Sequence, residues 1–403
     1  ADMVKGFVWL TLAYGLSQFY RACLAVFAPV LDAEIGLGAD QVSTAVGLWF
    51  LAFAAMQIPV GWLLDHKSPR LTASILLLLG GGGGAVVFGL AQGALSIYMA
   101  MILIGIGCSP VLMTSFYIFA RLAPHEKFGT LAGLVLGIGS LGNVLASAPL
   151  SIALEAIGWR ATMFVLAGVT ALVALALSRL VGDPPRVSRD RTQPKRKLSD
   201  LLRIYPLYPI LIIAMVAYAP GAGLRGSWIG GYLSDVFGLG SIQIGNATIY
   251  MAIAMILGSF TFGPADRVIK SRKVIIGGSG IVTIVALLTL WHSGGQWPVV
   301  PTVALFMVVG FFTASYPQIM NHGRTLLPED LVGRGVTLIN LFSIGGVGVF
   351  QIITARLFAH AQVSAPTVVT PYGSVFVFFA VMLAIGLVIY VIDLKRFAGG
   401  AHD

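Results

Sequence analysis

Long apolar runs alternate with short polar gaps along the whole sequence. A helix needs about 20 mainly apolar residues to cross the hydrocarbon core of a bilayer. Twelve runs come close to that length, and we number the predicted spans 1 to 12 in chain order. They cover residues 5–31, 41–64, 71–92, 96–120, 129–154, 161–181, 205–234, 243–264, 274–293, 298–321, 332–358 and 371–394. The pattern therefore predicts an all-α membrane protein with twelve transmembrane helices.

The longest polar gap divides the predicted spans into two sets of six. It covers residues 182–204 and is rich in Pro, Arg and Lys. A segment with so many charges and prolines cannot be buried, so it is expected to be a linker. The predicted organisation is an N-terminal six-helix bundle over 1–181, a basic cytoplasmic linker over 182–204 and a C-terminal six-helix bundle over 205–403.

Composition supports a membrane protein and removes several other classes. Of the 403 residues, 57% are hydrophobic and only 10% are charged, whereas soluble domains carry about 25% charged residues. Cys23 and Cys108 both lie in apolar runs, so neither a disulfide framework nor metal-ligand spacing is present. We find no nucleophile–base pair and no cofactor motif. The sequence therefore predicts no enzyme, no cofactor, no metal and no nucleic-acid partner; the predicted surroundings are a lipid bilayer, and the predicted state is a monomer.

The distribution of basic residues predicts the orientation. With the N-terminus inside, 21 of the 25 Lys and Arg residues fall on the inner side. Cytoplasmic loops of membrane proteins collect Lys and Arg, which also explains the net charge of +9. An even number of spans then places both termini in the cytoplasm, and the predicted location is the inner (plasma) membrane.

The two halves of the chain repeat each other. A charged turn, Gly61-Trp-Leu-Leu-Asp-His-Lys-Ser-Pro-Arg70, separates spans 2 and 3, and a looser copy runs from Gly263 to Lys273. Asp65 and Asp266 in these turns are 201 residues apart, and the paired prolines of spans 4 and 10 are 207 apart. Internal repeats are typical of secondary transporters, whose substrate site lies at the interface of the repeats. The repeat predicts two pseudo-symmetric bundles.

Two arginines lie well inside predicted spans. Arg21 is near the middle of span 1, and Arg225 is inside span 7, 204 residues later. A charge at bilayer depth costs at least about 2.5–3.5 kcal/mol on insertion scales, so such a residue normally faces a cavity and a partner. All sixteen Asp and Glu residues lie in loops or at span ends. The simplest missing partner is a small anionic substrate, because the guanidinium group matches carboxylate or phosphate oxygens with two hydrogen bonds. A structural role for each arginine is the alternative.

Over essentially its whole length, the chain resembles the major facilitator superfamily. The turn from Gly61 to Arg70 is similar to that family's Gly-x-x-x-Asp-Arg-x-Gly-Arg signature, with His66 and Pro69 in place of the usual Arg and Gly. Gly158-Trp159-Arg160 before span 6 is a further family feature. The second turn departs from the pattern, because its glycine is three residues before the acid. The resemblance implies transport by alternating access, with gating pairs Asp65/Arg70 and Asp266/Arg272.

Within this family, the arginines of spans 1 and 7 are similar to those of glycerol-3-phosphate:phosphate antiporters. Tyr20-Arg21 followed by a run ending at Pro29 also resembles the organic anion symporters. These resemblances imply an organic anion or organophosphate carrier. Met101 in span 4 stands where drug exporters have an arginine, and span 5 lacks their Gly-Pro pair. Both differences argue against drug export.

Other polar groups inside the spans are weaker candidates. Each could contact substrate or make a helix-packing hydrogen bond. His322 could couple transport to protons, because imidazole titrates near neutral pH, or could be an interfacial histidine. The five glycines from Gly80 to Gly84 are expected to serve helix packing. The predicted substrate-binding set is Arg21, Arg225, Tyr20, Tyr117, Asn143, Trp228, Tyr250 and Tyr316, with Asn246 and Gln351 as further possibilities.

The function predicted is secondary active transport of a small organic anion, a carboxylate or a phosphate ester, by anion exchange or proton symport. Efflux of a drug-like amphipathic compound is the alternative within transport. A non-transporting membrane sensor on the same fold is the alternative from another class.

Overall fold

The computed structural model describes residues 2–122, 125–184, 201, 203–328 and 332–399, and these residues form helices and no strand. Within them, ten helices are long and apolar enough to cross a membrane, and the pair Gly133–Leu145 and Ala148–Ile157, bent by 43°, would make eleven. These correspond to predicted spans 2 to 12. The helices Asp2–Ala22 and Leu24–Ile35 coincide with predicted span 1. The all-α membrane fold is confirmed, and its helices are consistent with twelve spans.

Most spans of the first half are built from more than one helix. Their helices are Asp2–Ala22, Leu24–Ile35, Ala39–Ala55, Gln57–His66, Pro69–Leu76, the π-helix Leu77–Gly82, Gly83–Gly89, Ala94–Cys108, Val111–Leu122, His125–Gly139, Leu141–Leu145, Ala148–Ile157 and Trp159–Leu180.

The second half contains longer unbroken helices. They are Leu207–Ala217, Ala219–Gly223, the π-helix Leu224–Trp228, Ile229–Phe237, Ser241–Phe262, Ala265–Ile269, Arg272–Ser293, Val299–Thr313, Pro317–Thr325, Val332–Ser364 and Val369–Gly399.

The chain separates into two compact units. Unit 1 takes its described residues from Ala1–Val187, Gly226–Ser234 and Gly238–Ile249, and unit 2 takes those of Ser188–Arg225, Asp235–Phe237 and Tyr250–Asp403. Most of the predicted linker, residues 185–200 and 202, lies outside the described residues. The bundle boundaries drawn from the sequence therefore stay a prediction.

Spans 1 and 7 end with the same backbone turn. The helices Leu24–Ile35 and Ile229–Phe237 are followed by Gly36 and Gly238, whose φ angles are +65° and +67°. A side chain strains this left-handed conformation, which is why glycine is the usual residue just after a helix end. The N–H of each glycine donates to the carbonyl oxygen four residues earlier, at 3.0 and 2.9 Å.

The following helices also begin alike. The Gly38 N–H donates to Oε1 of Gln41 at 3.2 Å, and the Gly240 N–H donates to Oε1 of Gln243 at 3.1 Å. A glutamine at the third helical position thus caps both helix starts. The repeat of Gly-Leu-Gly followed three residues later by Gln is plain in the sequence, and it adds a structural match between the halves.

Spans 3 and 9 both begin at a serine. The Oγ of Ser68 accepts a hydrogen bond from the Leu71 N–H at 3.3 Å, and the Oγ of Ser271 accepts one from the Val274 N–H at 3.4 Å. Serine is a preferred residue here because its oxygen satisfies a backbone donor that the helix leaves unpaired. Both charged turns therefore end in a capped helix start.

The glycine run of span 3 brings two helix backbones together. A Cβ added to Gly80 would lie 2.6 Å from the Leu103 carbonyl oxygen and 2.7 Å from the backbone of Gly107 in span 4. The same addition to Gly83 meets nothing within 4 Å. Individual glycines of the run therefore differ in role: Gly80 permits close packing of spans 3 and 4, and Gly83 does not contribute to it.

Candidate functional site

The Arg21 guanidinium lies over an aromatic shelf formed by span 2. Arg21 is in the last turn of Asp2–Ala22 and is half-buried. Its Cζ lies 5.2 Å from the Trp49 ring centroid, 5.8 Å from that of Phe50 and 5.6 Å from that of Phe53. A cation over aromatic faces at these distances is stabilised by about 0.5–2 kcal/mol. The shelf positions the guanidinium without using its hydrogen-bond donors.

Two buried nitrogens at this place have no hydrogen-bond partner among the described residues. They are Nε of Arg21 and Nε1 of Trp49, whose side chain is fully buried. No hydrogen bond or ion pair to the Arg21 guanidinium occurs within the part of the chain that the structure describes. Buried donors are normally satisfied, and each exception requires an explanation. An anion bound against Arg21 would supply acceptors for such donors.

Arg225 sits on a π-helical turn of span 7. The segment Leu224–Trp228 is π-helical, and Arg225 is only 2% exposed. Directly before this π-helical segment, the carbonyl oxygen of Gly223 accepts a hydrogen bond from Nε2 of the fully buried Gln351 at 3.1 Å. Single π-turns within α-helices are frequent at functional sites. Gln351, a weaker candidate from the sequence, thus supports the backbone that carries Arg225.

The segment that follows Arg225 packs on span 1 within unit 1. A Cβ added to Gly226 would lie 3.4 Å from the carbonyl oxygen of Arg21, and one added to Gly230 would overlap the carbonyl group of Ala25. Glycines at both positions let this segment lie directly on the two helices of span 1, on Arg21 in the first and on Ala25 in the second.

Tyr20 and Tyr117 have partners in helix packing. The Tyr20 side chain is fully buried, and its hydroxyl lies 2.7 Å from Oγ1 of Thr170 in span 6. Tyr117 lies under the exposed Arg121, whose Cζ is 4.1 Å from the ring centroid. The structure thus places both tyrosines in contacts within unit 1 and does not bring either to the Arg21 shelf.

Asn143 belongs to a short polar chain that sequence reasoning missed. Its Nδ2 donates to Oε1 of Gln18 at 3.2 Å, and Nε2 of Gln18 donates to the hydroxyl of Tyr14. Gln18 is one helical turn before Arg21 on span 1 and is buried. Gln18 and Arg21 are three residues apart, which places them on one face of the helix, and this spacing could have identified Gln18 from the sequence.

The remaining predicted contacts are scattered. Trp228 is fully buried on the π-turn, whereas the Tyr250 side chain is 53% exposed and Asn246 is also exposed. Tyr316 packs on Tyr218 of span 7, with ring centroids 4.5 Å apart. These positions do not form one cluster within either unit.

The inner end of span 3 is tied to the end of span 6. The Nε of Arg70 lies 3.1 Å from Oδ2 of Asp183, and the Arg70 backbone N–H donates to Oδ1 at 3.1 Å. The Ser68 hydroxyl donates to the same carboxylate. The side chain of Asp65, the expected partner in this gate, lies outside the described part. Asp183, read from the sequence as part of the linker, is therefore the described partner of Arg70.

Replacing Asp183 with asparagine is expected to destabilise unit 1 by about 1 kcal/mol. The value lies between that of an exposed ion pair and that of a buried hydrogen bond to a charged group, because the two side chains are 35% and 28% exposed. The thermal unfolding midpoint in detergent measures the effect. Asp32→Asn, which removes an exposed carboxylate of the same unit, serves as the control and should leave the midpoint unchanged. Equal midpoints for wild type and Asp183→Asn would contradict the assignment.

In the second half, Arg272 and His322 line one polar cleft. The cleft is formed by residues from the start of span 9 and the end of span 10. Nδ1 of His322 lies 2.7 Å from the hydroxyl of Tyr390 in span 12, with the two rings edge to face. The side chain of Asp266 lies outside the described part. The pairing of Asp266 with Arg272 therefore stays a prediction.

Membrane-spanning helices in two repeated halves, with an arginine inside span 1 and another inside span 7, are the pattern expected of a polytopic membrane transport protein. The sequence profile of the Major Facilitator Superfamily matches residues 10–351. The chain belongs to this family, as its charged turn indicated.

Three relatives that the chain resembles carry the names of transporters. The chain is 22% identical to the probable sulfoacetate transporter SauU of Cupriavidus necator over 87% of this chain and 85% of the relative. It is 29% identical to the gallate transporter of Pseudomonas putida over 35% of this chain and 31% of that protein. The probable L-galactonate transporter of Escherichia coli is 24% identical over 40% of this chain and 35% of that protein.

Among solved structures, the chain is similar to a bacterial homologue of the human lysosomal transporter Spinster in its inward-facing, unoccupied conformation. The TM-score is 0.76 with 17% identity, over 99% of this chain and 98% of that chain. The D-xylose–proton symporter matches with a TM-score of 0.76 and 16% identity over 97% of both chains. At these identities the likeness concerns the fold. The family match over residues 10–351 and the named relatives show that the protein is a multi-pass membrane transporter and not an enzyme, as predicted.

Proposed function

We propose that this protein is a secondary active transporter that carries a small organic anion across the cytoplasmic membrane by alternating access. The observation that supports this most is Arg21. Its guanidinium lies inside a span, positioned by aromatic faces, while hydrogen bonds and ion pairs to it are absent among the described residues. A charge held in this way is a binding group for an anion.

The substrate class proposed is a carboxylate, with phosphate esters as the second possibility. The named relatives carry sulfoacetate, gallate and L-galactonate according to their names. Each of these substrates is an organic acid. A planar guanidinium binds a carboxylate through two parallel hydrogen bonds, which an ammonium group cannot match.

Arg225 is proposed as a second anion-binding residue. Its support is its symmetric position in span 7, its location on a π-turn, and the packing of the next residue, Gly226, on the backbone of Arg21. The two charged turns are proposed as inner gates, through Asp65 and Arg70 in one half and Asp266 and Arg272 in the other. Both termini are proposed to lie in the cytoplasm.

A thermal-shift screen of the purified protein against a panel of organic anions tests this function. A ligand at 100 times its dissociation constant should stabilise the folded protein by about 2.7 kcal/mol. The panel should pair each carboxylate with its neutral amide. Stabilisation by carboxylates and not by their amides is expected. Stabilisation by neutral amphipathic compounds alone would instead favour efflux.

Coupling to protons, if it occurs, is proposed to involve His322. Its imidazole contacts Tyr390 and shares a cleft with Lys270, Arg272 and Lys273. Transport should then change between about pH 5.5 and 8, one unit or more either side of the usual imidazole pKa of about 6.5. His322→Gln should flatten that dependence, whereas Tyr390→Phe keeps the imidazole and should retain it.

Uptake into proteoliposomes at fixed internal pH measures the profile. Wild-type exchange that is flat across this pH range would favour simple anion exchange. A pH profile that survives in His322→Gln would exclude His322 as the coupling group.

A further inference from the structure

An open basic cleft of about 540 Å³ lies in unit 2, and neither Arg21 nor Arg225 is among the residues that line it. Four of its lining side chains carry or can carry a positive charge, and none of the six described lining residues is acidic. The lining residues are Lys270, Ser271, Arg272, Lys273, His322 and Thr325. So many basic groups around one concave space disfavour each other unless an anion is bound there. The cleft therefore has the charge of an anion site.

The backbone adds to this charge. The 22-residue helix Arg272–Ser293 begins in the cleft, so its N-terminal N–H groups and helix dipole favour an anion there. Lys270 has a φ angle of +55°, and among the described residues it is the one non-glycine residue with a positive φ. A strained backbone conformation of this kind persists where the surrounding structure requires it. Here it holds a lysine at the rim of the cleft.

The depth of the cleft points to the membrane surface. Arg272 is the first residue of one candidate span and Thr325 is the last residue of another. The cleft thus lies at the level where apolar helix gives way to water, which is where lipid phosphates lie. Exposed apolar side chains flank it in the sequence: Val268 is 81% exposed, Ile269 48% and Val274 61%. Acyl chains could cover such side chains, whereas a soluble anion could not.

We propose that this cleft binds the phosphate headgroup of an anionic phospholipid in the cytoplasmic leaflet. The predicted orientation places the start of span 9 on the cytoplasmic side, where anionic lipids concentrate and basic pockets between helices hold their headgroups. A bound headgroup would connect the start of span 9 with the end of span 10. Free phosphate could use the same charges, but the exposed apolar residues favour a lipid.

Binding of short-chain lipids to the purified full-length protein in neutral detergent tests this proposal. Dioctanoyl phosphatidylglycerol, dioctanoyl phosphatidylcholine and inorganic phosphate are titrated, and binding is measured by native mass spectrometry and thermal shift. The test variant is Lys270→Gln/Lys273→Gln, which changes two exposed side chains. The control is Arg121→Gln/Arg179→Gln, which removes two exposed charges from the ends of spans 4 and 6, outside the cleft.

We expect phosphatidylglycerol to bind wild type more tightly than phosphatidylcholine. The test variant should lose roughly 30-fold in affinity, about fivefold for each charge removed, and the control variant should bind like wild type. In wild type alone, raising the salt from about 0.05 to about 0.5 M should weaken phosphatidylglycerol binding, because salt screens charges at the surface.

Two results would overturn the proposal. One is phosphatidylglycerol binding by the test variant within threefold of wild type, together with salt-independent binding by wild type. The other is binding of inorganic phosphate that is as tight as that of phosphatidylglycerol and is weakened by the test variant. That result would make the cleft a site for soluble phosphate.

Discussion

Replacing Arg21 with alanine is expected to lower the affinity for the transported anion by roughly 30-fold or more. Removing one member of a desolvated charge pair typically costs about 2–5 kcal/mol, and about 1.4 kcal/mol is a factor of ten. Arg21→Lys should also bind poorly, because lysine keeps the charge and loses the planar fork. Titration of the best anion from the screen in detergent measures both effects.

Arg179→Ala is the matched control for this change. Arg179 is an exposed arginine at the end of span 6, so its removal lowers the net charge equally without touching the aromatic shelf. If Arg225 binds the same anion, as proposed, the double variant Arg21→Ala, Arg225→Ala should lose less affinity than the sum of the single losses. If folded Arg21→Ala protein binds the anion within threefold of wild type, Arg21 is structural.

Gly80→Ala is expected to destabilise the protein by about 1–3 kcal/mol, the usual effect of inserting a methyl group where there is no space. An added Cβ at Gly80 meets backbone atoms of Leu103 and Gly107. Backbone cannot move aside as a flexible side chain can, so spans 3 and 4 must separate. The thermal unfolding midpoint and the yield of monodisperse protein measure the loss.

Gly83→Ala is the control for this explanation, because no loss of stability is expected from it. Gly83 belongs to the same run of glycines, but an added Cβ there meets nothing within 4 Å. Alanine should be neutral or should stabilise the helix by about 0.5–1 kcal/mol, because it has less backbone freedom to lose on folding. Similar losses for the two variants would show that helix contact at Gly80 does not decide stability.

The spans could be predicted from the sequence because each needs a long apolar run, and such runs stand out from polar gaps. The breaks inside the spans could not. The π-turn Leu224–Trp228 follows a carbonyl group that is bonded to Gln351, 128 residues further along the chain. A local pattern carries no information about a partner so distant. The repeated turn at Gly36 and Gly238, in contrast, was visible as Gly-Leu-Gly in both halves.

Some residues of the candidate site could be predicted from the sequence, and others could not. Arg21 and Arg225 could be found because a charge within an apolar run stands out. Trp49, Phe50 and Phe53 could not, since aromatic residues in an apolar span look like any others until a cation is seen above them. The partner of Arg70 was missed because Asp183 lies in a segment whose composition reads as linker.

Transport by wild-type protein in proteoliposomes tests the central claim most directly. A labelled organic carboxylate and its neutral amide should be compared in parallel, with and without unlabelled carboxylate inside the vesicles, and in Arg21→Ala vesicles. We predict uptake of the carboxylate and not of the amide, and loss of that uptake in Arg21→Ala. Equal uptake of the neutral amide, unaffected by Arg21→Ala, would contradict the account.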